Sequence, residues 1–261
     1  MDNVPGGAPF RNVSCMAQMR ENGAPGRLPE DWDRLLAVVA HPDDLEFGAS
    51  SAIHRWTSQG KQVVELLVTK GEAGIDTMDP RSCAPVRMAE QRASAAAVGA
   101  TEVEFLDFPD GMLEYGLPLR RALAEAIRRY RPEAIVSINF REHFDGGGGF
   151  NHADHRVLGP ALLDAVRDAA NRWVFPEQLV DGTEPWSGVR LVAFGAAPDP
   201  THFVELSEDD LAAGIASLDA HEVYLAALEG FDQRTFLREA AVLAGERAGV
   251  PLATSFEVFE V

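Results

Sequence analysis

Short apolar runs alternate with longer helix-type segments from Arg34 onward, and this order constrains the fold more than any other feature. The strand candidates are residues 35–40, 63–68, 102–108 and 134–139. The intervening segments 49–58, 86–98 and 119–130 have helical composition, and Pro132 stops the last of them. Such alternation is typical of βα units with a parallel sheet and crossover helices. We therefore predict an α/β fold, a Rossmann-like open and mostly parallel sheet with flanking helices.

The rest of the chain continues the pattern more weakly. A further helix is expected over residues 156–170, followed by strand candidates at 189–194 and 203–206. A helical C-terminal third follows, and Ser207 with Asp210 three residues later predicts the capped start of its first helix. Residues 1–33 are rich in Pro and Gly and predict an N-terminal arm, partly disordered. We expect residues 34–261 to form a single catalytic domain.

Charge and cysteine content exclude several classes of function. The formal net charge of -18 disfavours nucleic acid and anionic membrane surfaces as partners. The sequence contains neither a secretory-signal pattern nor an apolar run of membrane-spanning length. Its two cysteines, Cys15 and Cys83, are too few for a disulfide framework or a metal clip, which favours a cytoplasmic protein. An essential metal would therefore have His and carboxylate ligands.

Two polar segments that follow strand candidates have the residues of a metal site. They are HPDD at 41–44 and HADH at 152–155, and the carboxyl ends of parallel strands are where open α/β sheets bind ligands. Either motif alone is more often an ordinary turn or helix cap. Their joint occurrence, each directly after a strand, favours a site. Catalytic zinc typically has three N or O ligands and a position for water, which two such loops can supply together.

Four motifs in this order resemble one known family. AHPDD at 40–44, RMAE at 87–90, DGM at 110–112 and HADH at 152–155 are similar to motifs of the PIG-L or LmbE-like zinc N-deacetylases. The resemblance covers roughly residues 34–170. It implies one Zn²⁺ per chain, ligated by His41, Asp44 and His155. It also implies hydrolysis of an amide bond on an N-acylated amino sugar or a glycoconjugate.

The resemblance also implies roles for the other residues of these motifs. Asp43 would be the base that activates water, and His152 would polarise the amide carbonyl or stabilise the oxyanion. Asp154 would orient a neighbouring imidazole. Arg87 and Asp110 would contact the sugar. His221 lies where many relatives have a histidine near the site, but it fits a core or surface histidine equally well.

One position departs from the family pattern. Some relatives have a tyrosine two residues before the first histidine of the last motif, where this chain has Phe150. The missing hydroxyl shifts a larger share of oxyanion stabilisation to His152. The glycine-rich stretch 146–149 fits a lid over the substrate and a plain surface loop equally well.

The leading hypothesis is removal of an N-acyl group, most simply acetyl, from an amino sugar, with a role in secondary-metabolite tailoring suggested by family analogy. An amidase that cleaves a larger sugar-linked amide, such as a thiol-sugar conjugate, is the alternative within the same chemistry. A non-catalytic sugar-binding or metal-binding protein is the alternative from another class, and the presence of Asp43 argues against it. Homo-oligomers are compatible with each of these readings.

Overall fold

A single eight-stranded sheet organises the chain in the computed structural model, which describes residues 23–144 and 149–261. Its strands are β1 Gly26–Arg27, β2 Arg34–Val39, β3 Gln62–Leu67, β4 Glu102–Phe105, β5 Ala134–Ile138, β6 Leu191–Gly195, β7 His202–Glu205 and β8 Ala253–Glu260. The helices are α1 Asp44–Gly48, α2 Ser50–Ser58, α3 Pro80–Ala97, α4 Leu117–Tyr130, α5 Ala153–Ala170, α6 Glu208–Asp219, α7 Glu222–Ala227 and α8 Gln233–Ala248. The strand order is β1-β7-β8-β6-β5-β2-β3-β4.

The sheet is mostly parallel, which confirms the predicted fold class. Strands β4, β3, β2, β5 and β6 pair in parallel, and β8 pairs antiparallel with both β6 and β7. The sequence did not predict β8, because the C-terminal third was read as helical throughout. Its position between β6 and β7 is set by pairing with strands about 50 residues or more away, which no local pattern records.

Helices cover both faces of the sheet, and β2 shows the reason. Leu35, Ala37 and Val39 pack into one core with residues of α2, α6 and α8, whereas the alternate residues Leu36 and Val38 pack into a second core with α4 and α5. A strand buried on both faces is a continuous apolar run rather than an alternating one. This explains why the run at 35–40 gave so clear a strand signal.

Two helices begin earlier than predicted, α3 because a capping side chain lies upstream of its apolar pattern and α5 without a side-chain cap. Helix α3 begins at Pro80, six residues earlier than expected, because the Asp79 side chain accepts hydrogen bonds from the backbone N–H groups of Arg81 and Ser82. Helix α5 begins at Ala153, three residues early. At α6 the predicted capping box is present, formed by Ser207 and Asp210.

Part of the expected N-terminal arm belongs to the sheet. Strand β1 pairs in parallel with β7, and Trp32 is buried with its indole N–H donated to the Pro29 carbonyl. Residues 1–22 lie outside the described part of the chain.

Within residues 23–144 and 149–261, no helix combines the length and the apolar character that a bilayer crossing requires.

The chain changes direction at β2 in a way that creates a crevice. It passes from β2 to β3 on one side, and β5 lies on the other side of β2. The carboxyl ends of β2 and β5 therefore meet at a topological switch point, where open α/β sheets bind ligands. The HPDD and HADH segments follow these two strands.

A close backbone contact holds α1 beside this edge. A Cβ atom at Gly195, the last residue of β6, would lie 2.4 Å from the carbonyl oxygen of Gly48 at the end of α1. A Cβ atom cannot lie that close to a carbonyl oxygen, so α1 can approach β6 this closely only because residue 195 is glycine.

We expect Gly195→Ala to lower the free energy of unfolding by about 1–3 kcal/mol, because the added methyl group must push α1 away from β6. The measurement is urea unfolding followed by circular dichroism. Gly116→Ala is the matched control, since a Cβ at Gly116 would meet only Pro118 at 3.7 Å. Equal stability of the two variants would contradict the close packing.

Candidate active site

A cleft of about 370 Å³ opens at the carboxyl edge of the sheet. Its walls come from the turn after β2, the loops after β3 and β4, the start of α5, and Tyr224 of α7. Eight of the nine residues singled out from the sequence line it: His41, Asp43, Asp44, Arg87, Asp110, His152, Asp154 and His155. The ninth, His221, is not among the lining residues.

Three of these side chains converge at the floor of the cleft. The ring nitrogens His41 Nδ1 and His155 Nε2 are 3.2 Å apart. The Asp44 carboxylate lies between them, with Oδ1 2.9 Å from His155 Nε2 and Oδ2 3.5 Å from His41 Nδ1. Ligands about 2.1 Å from a tetrahedral zinc ion are themselves roughly 3.4 Å apart. The His₂Asp cluster therefore has the spacing and the donor types of a metal centre.

The outer nitrogen of each imidazole is held by a hydrogen-bonding partner. His155 Nδ1 lies 3.0 Å from Asn151 Oδ1, and the Asn151 amide in turn donates to the carbonyls of Asn139 and Arg141 at 2.7 and 2.9 Å. His41 Nε2 lies 3.2 Å from Asp154 Oδ2. Such contacts fix the ring orientation and the tautomer of metal-binding histidines. They point one nitrogen of each ring into the cluster.

Asp154 and Asp110 share the task of orienting His41. The Asp154 carboxylate also accepts the backbone N–H groups of Gly111 and Leu113, at 2.8 and 3.0 Å. Asp110 Oδ1 lies 3.1 Å from His41 Nε2, and Oδ2 accepts the N–H of Ala73. The sequence predicted that Asp110 contacts the sugar, and in the structure it contacts His41 of the His₂Asp cluster.

The local field favours positive charge in the cluster. Burial opposes a charge on His41, yet Asp44, Asp110 and Asp154 outweigh it and raise its pKa well above the usual range. Burial would raise the pKa of Asp44, but His155 and His41 lower it far below the usual range. A buried group of carboxylates around two imidazoles therefore stabilises a cation between the ring nitrogens.

Asp43 is buried beside the cluster but is not part of it. Its Oδ2 accepts a hydrogen bond from Arg87 Nη2 at 2.9 Å. Burial raises the pKa of Asp43 to about 6, and the proximity of Asp44 adds to this shift, while Arg87 and His221 oppose it. A carboxylate with a pKa near neutrality can both accept and return a proton.

His152 is exposed to the cleft next to the cluster. Its ring centroid lies 5.0 Å from that of His155 and 5.9 Å from that of His41. Burial and the two neighbouring imidazoles lower the pKa of His152. This side chain therefore faces the space where a substrate would lie.

Arg87 and His221 form the layer behind Asp43. The Arg87 guanidinium is buried, lies 3.9 Å from the ring centre of Tyr224, and pairs with Glu90 at 3.2 Å. His221 is fully buried, with Nδ1 3.3 Å from Arg87 Nη1 and Nε2 3.7 Å from Glu46 Oε2. His221 is thus adjacent to the site rather than in contact with the cleft.

Sequence reasoning missed two residues of this region, Tyr224 and Gln91. Tyr224 reaches the cleft from a helix some 70 residues after HADH, and no spacing rule connects them. Phe150 lies at the expected position and is 60% exposed. Of the predicted glycine-rich loop, residues 146–148 lie outside the described residues.

A parallel sheet with a His₂Asp cluster at its switch point is the arrangement of an α/β metalloenzyme. The family model described as PIG-L, GlcNAc-PI de-N-acetylase, matches residues 36–166. The chain belongs to this family, as its motifs predicted.

Three relatives illustrate the family. A diacetylchitobiose deacetylase of Thermococcus kodakarensis is 29% identical over 194 residues, covering 74% of this chain and 70% of the relative. A 1D-myo-inositol 2-acetamido-2-deoxy-alpha-D-glucopyranoside deacetylase of Kineococcus radiotolerans is 29% identical over 191 residues, 60% of this chain but only 50% of the relative. The solved N,N'-diacetylchitobiose deacetylase of Pyrococcus horikoshii has the same fold, with a TM-score of 0.76, 23% identity, and coverage of 88% of this chain and 85% of that one. Family and relatives agree with the predicted enzyme class, a deacetylase.

We expect His155→Ala to lose its metal and His152→Ala to keep about one equivalent, because His155, unlike His152, belongs to the His₂Asp cluster and places its Nε2 2.9 Å from Asp44 Oδ1. The measurement is elemental analysis of both proteins after dialysis against the same trace of zinc. Circular dichroism controls for unfolding. Equal metal loss in the two variants would make His152 a ligand.

A second group of carboxylates is buried beneath the cluster. Glu65 of β3 and Glu46 of α1 both accept hydrogen bonds from the Gln91 amide, at 3.0 and 3.1 Å. Burial, with the charge on Glu46 added, raises the pKa of Glu65 to about 8. The folded chain therefore keeps a proton on Glu65 at neutral pH, whereas the unfolded chain releases it near pH 4.5.

Because the folded-state pKa is raised, Glu65 supports folding fully below about pH 4.5, and this support is lost as pH rises towards 8. We therefore expect Glu65→Gln to gain stability over the natural chain as pH increases from 5 to 8, by roughly 1–3 kcal/mol. Urea unfolding at several pH values measures this. Glu239→Gln, at an exposed glutamate, is the control. A difference in the free energy of unfolding between Glu65→Gln and the natural chain that does not change with pH would contradict a protonated Glu65.

Proposed function

We propose that this chain is a zinc-dependent N-deacetylase that removes an acetyl group from an amino sugar or a glycoconjugate. One observation carries the proposal: a buried carboxylate, Asp43, faces the same cleft as the His₂Asp cluster without belonging to it. The relatives are named as deacetylases of acetylated amino sugars, which supports the substrate class.

Zinc held by His41, Asp44 and His155 would supply an electrophile and lower the pKa of a bound water to about 7. Asp43 accepts the proton of the attacking water, since its pKa of about 6 leaves it mostly ionised at neutral pH. His152, which lines the same cleft next to His155, donates a hydrogen bond to the developing oxyanion. Asp43 then returns its proton to the departing amine, which leaves acetate and a free amino sugar.

Arg87 keeps Asp43 in place during this cycle. Its hydrogen bond to Asp43 Oδ2, together with one from the Tyr224 hydroxyl, holds the carboxylate at the cleft. The sugar contacts expected of Arg87 and Asp110 stay a prediction, and His221 would act on substrate only through Arg87.

The cleft favours a small acyl group over a large one. Its volume of about 370 Å³ is near the lower end of the range of about 300–1,000 Å³ for ligand pockets. An amidase for a larger sugar-linked amide must accommodate both sides of the bond, so we rank it second. A non-catalytic sugar-binding or metal-binding protein would not need a buried Asp43 with a pKa near neutrality.

The remaining parts of the proposal concern the whole protein. We infer one zinc ion per chain, a single catalytic domain over residues 34–261, and a cytoplasmic location in keeping with the scarcity of cysteine. A homo-oligomeric assembly and a role in tailoring a sugar-bearing metabolite are both compatible with the proposed deacetylase function.

We expect Asp43→Asn to lower kcat by about 100-fold or more while zinc content stays at one per chain, because the amide cannot take the proton. The measurement is primary-amine release from N-acetylglucosamine, diacetylchitobiose and an N-acetylglucosaminyl inositol, with and without chelator. Asp76→Asn, an exposed residue of the loop after β3, is the matched control. Full activity of Asp43→Asn, or chelator-resistant release by the natural chain, would overturn the proposed mechanism.

A further inference from the structure

Asp43 has a backbone conformation that aspartate adopts at a cost. Its φ of 89° and ψ of -22° lie in the left-handed region, where a non-glycine residue costs on the order of 1–3 kcal/mol. The usual local compensation is missing, because the Asp43 side chain makes no capping hydrogen bond to α1. Contacts from elsewhere in the fold must hold this conformation.

The first contact is to the backbone of Asp43. Its buried N–H donates to the side-chain oxygen of Gln91 at 3.0 Å. A buried N–H without a partner costs about 1–3 kcal/mol, so this hydrogen bond favours the observed turn over alternatives that turn the N–H away.

The Gln91 amide has a single satisfied orientation. Its Nε2 donates to Glu65 Oε2 at 3.0 Å and to Glu46 Oε1 at 3.1 Å, and the side chain is fully buried. Rotating the amide by 180° would place its oxygen against two carboxyl groups and its nitrogen against the Asp43 N–H. Glu46 is itself held by hydrogen bonds from Ser94 and Ser217. The acceptor that faces Asp43 is therefore rigid.

Arg87 supplies the complementary contact one helical turn earlier on α3. Its Nη2 donates to the Pro42 carbonyl at 2.7 Å and to Asp43 Oδ2 at 2.9 Å. Residues 87 and 91 lie on the same face of α3 because they are four apart. One side chain thus fixes the carboxylate of Asp43 and the other fixes its backbone.

We propose that Gln91 is a positioning residue for catalysis: it holds the strained Asp43 turn so that the carboxylate faces the cleft beside the metal ligands. The role rests on the proposed function in that Asp43 is taken as the base. Glu46 and Glu65 act through Gln91 by fixing its amide. No contact of Gln91 with the substrate is involved, since it does not line the cleft.

The test replaces Gln91 with a side chain of similar size that has no acceptor, Gln91→Met. We expect kcat to fall about 10- to 100-fold, because a displacement of about 1 Å at a catalytic group has effects of this order. KM should stay within about twofold and zinc at one per chain. Gln59→Met, at an exposed glutamine, is the matched control and should leave both constants unchanged.

A swapped pair separates positioning from general damage to the core. In the double variant Gln91→Glu with Glu65→Gln, one oxygen of the new carboxyl group accepts the Asp43 N–H. Its other oxygen carries the proton that Glu65 carries in the natural chain, donates it to Glu46 and accepts from the new amide at position 65. We expect the swap to recover most of the kcat lost in Gln91→Met at similar thermal stability. An unchanged kcat in folded Gln91→Met would overturn the positioning role. A large rise in KM and a loss of zinc together with the fall in kcat would overturn it as well.

Crystal structures of the natural chain and Gln91→Met distinguish this proposal from the proposed function. We expect Asp43 to leave the left-handed region in the variant, whatever the substrate proves to be. A natural chain that releases no amine from any N-acetylated sugar would overturn the function, while the φ angle of Asp43 would still report on Gln91. Retention of φ near 89° in Gln91→Met would overturn the positioning role alone.

Discussion

The structure depends on one electrostatic constraint, two imidazole nitrogens 3.2 Å apart with a carboxylate between them. Two neutral imidazoles and one anionic carboxylate this close together at the buried floor of the cleft are stable only if a positive charge lies between them. The fold meets this demand with carboxylates on the outer side of His41 and an amide on the outer side of His155. The same arrangement that favours a proton here favours a metal ion, which links the architecture of this edge to its chemistry.

Around that cluster, polar groups are arranged in layers of decreasing exposure. His152 faces the cleft, Asp43 lies beside the His₂Asp cluster, and Arg87 lies behind Asp43. Deeper still, Gln91 connects two buried carboxyl groups to the turn that contains Asp43. Buried polar groups at this density are costly unless they are hydrogen-bonded. Gln91 and the Asp43 N–H are paired, whereas Glu46 Oε2, Arg87 Nε and His221 Nε2 are buried without a hydrogen-bond partner among the described residues. The side chains in the cleft are therefore set by contacts that the substrate never meets.

The nine candidate residues illustrate the reach of sequence reasoning. The sequence placed HPDD and HADH after two strand candidates, and the structure brings both segments to the cleft at the carboxyl edge of the sheet. The positions of Arg87 and Asp110 were predicted at the cleft, but their contacts were not. Arg87 pairs with Asp43 and Asp110 with His41, because helix α3 and the loop after β4 reach the floor only in the folded chain.

The sequence by itself determined the mostly parallel sheet, since strands buried on both faces are uninterrupted apolar runs. It also predicted that HPDD and HADH lie at the carboxyl edge of the sheet, since each follows a strand. Tertiary structure alone decided the rest. Strand β8 is defined by antiparallel pairing with β6 and β7, and Tyr224 reaches the cleft only through the packing of α7 against α3. The partners of Gln91 come from three elements brought together by burial. Such contacts join residues tens of positions apart, and no periodicity in a chain encodes which distant groups will share a hydrogen bond.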